Sequence, residues 1–121
     1  MPEDAGEQVA GGLAPDGAPA GEADVGLASD VAGVLSEPIR LSILCELLDS
    51  PRSVTELWTA LGLPQPTVSH HLRLLRDVGL VHRRRAGRTA VYELGSAVDV
   101  DGDTLVIRAG LLQVEWRVRC R

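Results

Sequence analysis

From Gly62 to Leu94 the chain reads GLPQPTVSHHLRLLRDVGLVHRRRAGRTAVYEL, and the fold class turns on how this stretch is divided. Pro66 occupies a permitted first-turn position, and Gly79 supplies a stop, so a helix is expected between them. At helical spacing Val68, Leu72, Leu75 and Val78 share one face, with His71 at its border; Ser69, His70, Arg73 and Asp77 lie on the other. Just upstream, Ser53 followed by Glu56 reads as a capping box. It opens a short helix through Val54, Leu57, Trp58 and Leu61 that stops at Gly62. Two helices joined by a tight Gly-Leu-Pro turn have the outline of a helix-turn-helix. Downstream, LVHRRR, the turn AGR and TAVYEL make two β-rich runs around a glycine, which is a hairpin following directly on the second helix.

The chemistry follows the faces. Ser69, His70 and Arg73 point away from the core, and Gln65 and Thr67 add an amide and a hydroxyl in the first turn; such groups reach base edges and phosphates in a major groove. Arg83, Arg84, Arg85 and Arg88 crowd the hairpin with no acid among them, so their mutual repulsion calls for an anion, and phosphate is the obvious one. The competing readings are a solvated charged hairpin, or a winged-helix interaction module whose arginines meet an acidic partner. His71 is read as a hydrogen-bonded packing residue rather than a ligand.

The 121 residues, 45% apolar, suffice for one modest domain. The formal charge is −5, yet the first 30 residues hold seven acids and no base, which leaves the remainder at +2. All twelve cations are arginine, and six fall between Arg73 and Arg88, where guanidinium forks suit phosphate and base edges better than lysine would. Residues 1–26 are Gly, Ala, Pro and acid, too poor in large apolar side chains to repay ordering, and are expected to be a disordered, solubilising tail. Leu27, Val31, Val34 and Leu35 recur at helical spacing up to Pro38. A second helix then begins, with Ile39, Leu41, Ile43, Leu44, Leu47 and Leu48 apolar on most sides, as in a buried helix.

The C-terminal part alternates. VDVDGDTLVIR turns about an Asp-Gly pair, and in LLQVEWRVR the residues Leu112, Val114, Trp116 and Val118 share a face, so a β-rich extension is expected. DVDGD from Asp99 lacks the glycine and glutamate of a calcium loop and is read as a tight turn. Cys45 and Cys120 lie far apart without metal spacing, which indicates neither a disulfide framework nor a zinc finger and suits a reducing compartment. Cys45 is read as core packing and Cys120 as more exposed. With no apolar run long enough for a membrane span and no secretory signal pattern, a cytoplasmic protein is expected.

LSEPIRLSILCELL, VTELWTALGLPQPTVSHHLRLLRDVGLV and RRRAGRTAVYEL together resemble the ArsR/SmtB family of winged-helix transcriptional regulators, over about Val34 to Leu94. The resemblance implies a homodimer on an inverted-repeat operator, acting as a repressor, with the fourth helix of each subunit in a major groove and the wing on the flanking backbone of double-stranded DNA. It also implies an inducer, often a metal ion, that loosens the DNA complex. Two departures bear on that input. The helix carrying the family's thiolate metal motif has Val54-Thr55-Glu56-Leu57 and no cysteine, and no histidine follows His82 for the C-terminal metal site. A metal-independent regulator is therefore the simplest reading, responding weakly to any ion or through an accessory protein. Imidazole and carboxylate donors would suit nickel or zinc, and the candidate ligands are His70, His71, His82 and Cys120. No GxSxG, P-loop or HExxH pattern supports an enzyme. The expectation is thus an α+β chain: tail 1–26, winged helix-turn-helix 27–94, and a β-rich extension 95–121. Dimerisation is expected through Leu27, Val31, Val34, Leu35 and Trp116.

Overall fold

The computed structural model describes residues 22–109 and 114–121. Helix α1 spans Glu22–Leu35 and α2 spans Pro38–Glu46; strand β1 is Arg52–Ser53, followed by α3 at Val54–Leu61 and α4 at Gln65–Asp77. Strands β2 (Val81–Ala86) and β3 (Thr89–Leu94) form the hairpin, and β4 (Val98–Asp101), β5 (Thr104–Ala109) and β6 (Val114–Arg119) form the C-terminal part. Two antiparallel sheets result, ordered β1-β3-β2 and β4-β5-β6. The architecture is α+β, a winged helix-turn-helix with a β-rich extension.

Local chemistry sets the helix ends. The Glu37 carboxylate accepts from the Ile39 N–H at 3.0 Å, with Pro38 in the first turn of α2. Ser53 Oγ accepts from the Glu56 N–H at 3.1 Å while the Ser53 N–H donates to the Glu56 carboxylate at 2.8 Å, which completes the expected capping box. Gly62 closes α3 at φ 68°, a left-handed conformation that glycine adopts without cost, and the turn it makes sets α4 against α3. Gly95 matters for a different reason: a Cβ there would overlap the Gly79 carbonyl, and its N–H donates to the Leu80 carbonyl at 2.9 Å. The root of the wing is thereby locked to the end of α4.

A single core joins both sheets. Val31, Val34 and Leu35 of α1, Ile43 and Leu44 of α2, Leu57, Val68, Leu72 and Leu75 pack with Leu80 and Val81, and with Val98, Leu105, Ile107 and Ala109 of the C-terminal sheet. Part of the expected dimer face is covered within the chain itself. Val31, Val34 and Leu35 are 1%, 9% and 8% exposed within the one chain, because the C-terminal sheet covers them; Trp116 is half-buried, and the Leu27 side chain lies outside the described residues.

There are three further differences. Helix α1 is described from Glu22, inside the segment expected to be a tail. The expected tail up to residue 21, and Leu112, lie outside the described residues. Strand β1 was not foreseen, being only two residues long and defined by its partners Tyr92 and Val91 rather than by its own pattern. Most consequential, Cys45 and Cys120 form a disulfide across 75 residues, with Cα atoms 5.3 Å apart, within the normal range for the bond. Spacing along the chain does not show that β6 returns to α2. The expected turn at Asp101-Gly102 and the β6 alternation, with Val114, Trp116 and Val118 on the half-buried face, are as the pattern indicates.

Candidate nucleic-acid interface

Helix α4 presents two faces. Val68, Leu72 and Leu75 are fully buried, whereas Gln65, Ser69, His70, Arg73 and Arg76 are exposed and Thr67 is half-buried. Opposite the exposed face stands the wing. On β2 and β3 the cross-strand partners are Arg83 with Tyr92 and Arg85 with Ala90, so Arg83, Arg85 and Tyr92 project from one side of the hairpin, and His82, Arg84 and Glu93 from the other. Tyr92 lines a cavity of about 390 Å³ together with Pro66, Ser69, His70, Arg73 and Arg76. The Arg83–Arg85 side of the wing is thus the side that meets the exposed face of α4.

The arginines are not equivalent. Arg84 Nε donates to the Glu93 carboxylate at 3.1 Å, so the expected acid-free wing in fact contains an acid, placed opposite by strand pairing. Among the described residues no ion pair engages Arg73, Arg76, Arg83, Arg85 or Arg88. Arg76 and Tyr92 are members of this surface that sequence reasoning missed. Arg76 follows Arg73 by three residues on the same helical face, a signal that was present; Tyr92 is brought in only by its pairing with Arg83.

His71 lies beneath this surface. Its Nδ1 accepts from Arg40 Nε at 3.2 Å, and Arg40 Nη1 donates to the Val34 carbonyl at 3.3 Å, which ties the end of α1, helix α2 and the recognition-type helix α4 together. Burial, reinforced by the Arg40 guanidinium and by His70 and opposed by Glu37, holds the His71 imidazole below its ordinary pKa. Accepting at Nδ1 requires the neutral ring, as the expectation of a packed, hydrogen-bonded histidine implied.

The donors considered for a metal do not assemble. His70 and His71 adjoin on α4, His82 is exposed on β2, and Cys120 is bonded to Cys45. Among the described residues no three His, Cys, Asp or Glu side chains stand together as a ligand set. Within the chain His71 Nδ1 is taken by the Arg40 guanidinium and Cys120 by its disulfide, so these two are not free to bind nickel or zinc.

Comparison with known proteins agrees with this geometry. Residues 37–83 match the family described as bacterial regulatory protein, arsR family. The chain is 46% identical over 79 residues to the HTH-type transcriptional regulator NmtR of Mycobacterium tuberculosis, a match covering 63% of this chain and 66% of that one. It is similar to the structure of reduced HlyU from Vibrio cholerae at a TM-score of 0.56 and 40% identity, covering 62% of this chain and 79% of that one. It is likewise similar to the homodimeric winged helix-turn-helix DNA-binding domain of Mb0332 from Mycobacterium bovis, with TM-score 0.56 and 33% identity over 58% of this chain and 65% of that one. The matches span between half and two thirds of the length of the first curated relatives. With the capped α3, the Gly62 turn, the two-faced α4 and the arginine wing in this order, the chain belongs to the ArsR family of bacterial regulatory proteins.

Proposed function

We propose that this protein is a transcriptional repressor that binds double-stranded DNA as a homodimer at an inverted-repeat operator, in the cytoplasm. One observation carries the reading: the exposed polar face of α4 and the Arg83–Arg85 side of the wing form one surface whose arginines have no acidic partner among the described residues. Helix α4 enters the major groove, where Gln65, Thr67, Ser69, His70 and Arg73 face base edges, while Arg83, Arg85 and Arg88 lie along the flanking phosphates. Arg84, held by Glu93, contributes less than its neighbours. The homodimeric DNA-binding domain of Mb0332 supports the two-fold arrangement. Titration with an inverted repeat whose half-sites lie about 34–36 Å apart should show binding at least about a thousandfold tighter than to scrambled DNA, falling steeply with salt. Equal affinity for both sequences would leave the wing as a docking surface for an acidic protein.

For the input signal, the Cys45–Cys120 disulfide favours thiol oxidation over metal binding. Cys45 and Arg40 stand on the same helix, so α2 connects the disulfide at one end to His71 of α4 at the other. Opening the bond frees β6 from α2 and removes a constraint across a 75-residue separation, worth about 2–4 kcal/mol of stability. Operator affinity should therefore change on reduction of the wild-type protein and not in Cys45→Ser. An unchanged affinity on reduction removes the redox input without touching the DNA-binding reading.

A further inference from the structure

We propose that the homodimer forms by antiparallel pairing of the β6 edge of one protomer with the β6 edge of a second copy, in a register centred on Trp116, so that Glu115 of each strand faces Arg117 of the other. This deepens the homodimer reading above by naming its surface. The family match ends at residue 83, before this sheet begins, so the interface is built from this chain's own extension.

The backbone comes first. Among the described residues strand β6 pairs with β5 alone and forms the edge of its sheet. The Cys120 N–H donates to the Asp103 carbonyl at 2.9 Å, and by antiparallel alternation the hydrogen-bonding groups of Val118, Trp116 and Val114 also point towards β5. Those of Glu115 and Arg117 then point outward, unpaired by the sheet. In the register centred on Trp116 these are the hydrogen-bonded pairs, Glu115 with Arg117 and its symmetry mate, each exchanging both backbone bonds. Trp116 meets its counterpart in the closer, non-hydrogen-bonded position, and Val114 meets Val118.

Charge selects this edge and this register. An edge strand normally repels a second copy through like charges. Strand β4 does so: its four residues carry Asp99 and Asp101. On β6 the outward-facing Glu115 and Arg117, 37% and 59% exposed, pair with each other at 3.1 Å within the strand, and being of opposite sign they can exchange these partners for the same pair across the axis of two copies. The alternative register centred on Arg117 would set that arginine against itself, which is destabilising. The half-buried Val114, Trp116 and Val118 lie on the side facing the core, so pairing extends the core across the two-fold axis.

The test is a charge swap read by analytical ultracentrifugation of the full chain at micromolar concentration, with circular dichroism confirming the fold. Glu115→Arg and Arg117→Glu each place like charges opposite on both sides of the axis and should weaken the dimer at least tenfold. Mixing the two variants should restore it as a heterodimer, because the strand with two arginines complements the strand with two glutamates; the double variant E115R/R117E should restore the homodimer. A wild-type dimer that persists unchanged in both single variants overturns the β6 edge and leaves the DNA-binding homodimer standing on another surface. A wild-type monomer overturns both.

Discussion

Arginine dominates two surfaces of this molecule, and they are chemically opposite. On the outer face of the C-terminal sheet, Arg108 pairs with Asp99 and Glu115, Arg117 with Glu115 and Asp101, and Arg119 with Asp103, while Arg121 at the end of the chain reaches Asp49. On α4 and the wing, Arg73, Arg76, Arg83, Arg85 and Arg88 have no acidic partner among the described residues. The first surface is neutralised from within. The second keeps its charge available for an anion from outside. Residue type alone does not distinguish a structural arginine from a binding one; the presence of a carboxylate across the strand does.

The largest effect should come from stripping the unpaired surface. The triple variant of Arg83, Arg85 and Arg88 to alanine should lose about a hundredfold or more in affinity, almost equally on specific and random DNA. Because the homodimer loses three contacts in each protomer, its salt slope should become shallower by about 5. The matching change on the paired surface, Arg108→Ala with Arg119→Ala, removes exposed ion pairs worth at most about 1 kcal/mol each and should leave the slope where it is. A slope unchanged in the wing triple, or shifted in the control, erases the distinction between the two surfaces.

Within the unpaired surface, base reading and backbone contact can be separated. Ser69→Ala, His70→Ala and Arg73→Ala should each cost about 1–3 kcal/mol per half-site and relax discrimination at one base position in each half-site, with little loss on random DNA. Uniform losses across sequences would move these three residues to the backbone-contact class.

The smallest effect concerns the tie beneath α4. His71 faces Arg40, Glu37 and His70, and its pKa is lowered on folding, so the unfolded chain takes up the proton first as pH falls. Its contribution is therefore complete above about pH 6.5, the ordinary imidazole value, and is lost progressively as pH falls from there through the lower folded value. Denaturation midpoints between pH 8 and 5 should drop more in wild type than in His71→Gln. Parallel curves for the two would show that the Arg40–His71 contact is not linked to protonation.

Much of the candidate interface was legible along the chain because it is built from local signals. The capping box, the Gly62 stop, the 3.6-residue apolar stripe of α4 and the glycine-centred hairpin each act within a few residues, and the two faces of α4 followed from them. Tyr92 and the Arg84–Glu93 pair were not legible, since register across β2 and β3 decides which side chains stand together. The apolar stripe of α1 was visible and its partner was not: amphipathicity says that a face will be covered, without saying whether by a second copy or by the chain's own sheet.

By itself, then, the sequence determined the order and type of elements, the winged helix-turn-helix, the β-rich extension and the polar face of α4, because caps, turns and apolar periodicity are short-range physics. Only the tertiary structure decided that β5 covers α1, that Cys120 meets Cys45 across 75 residues, and that Arg84 is neutralised where Arg85 is not. These depend on where distant segments return, which is set by the packing of one shared core and by strand register, and neither is encoded at any single position in the chain.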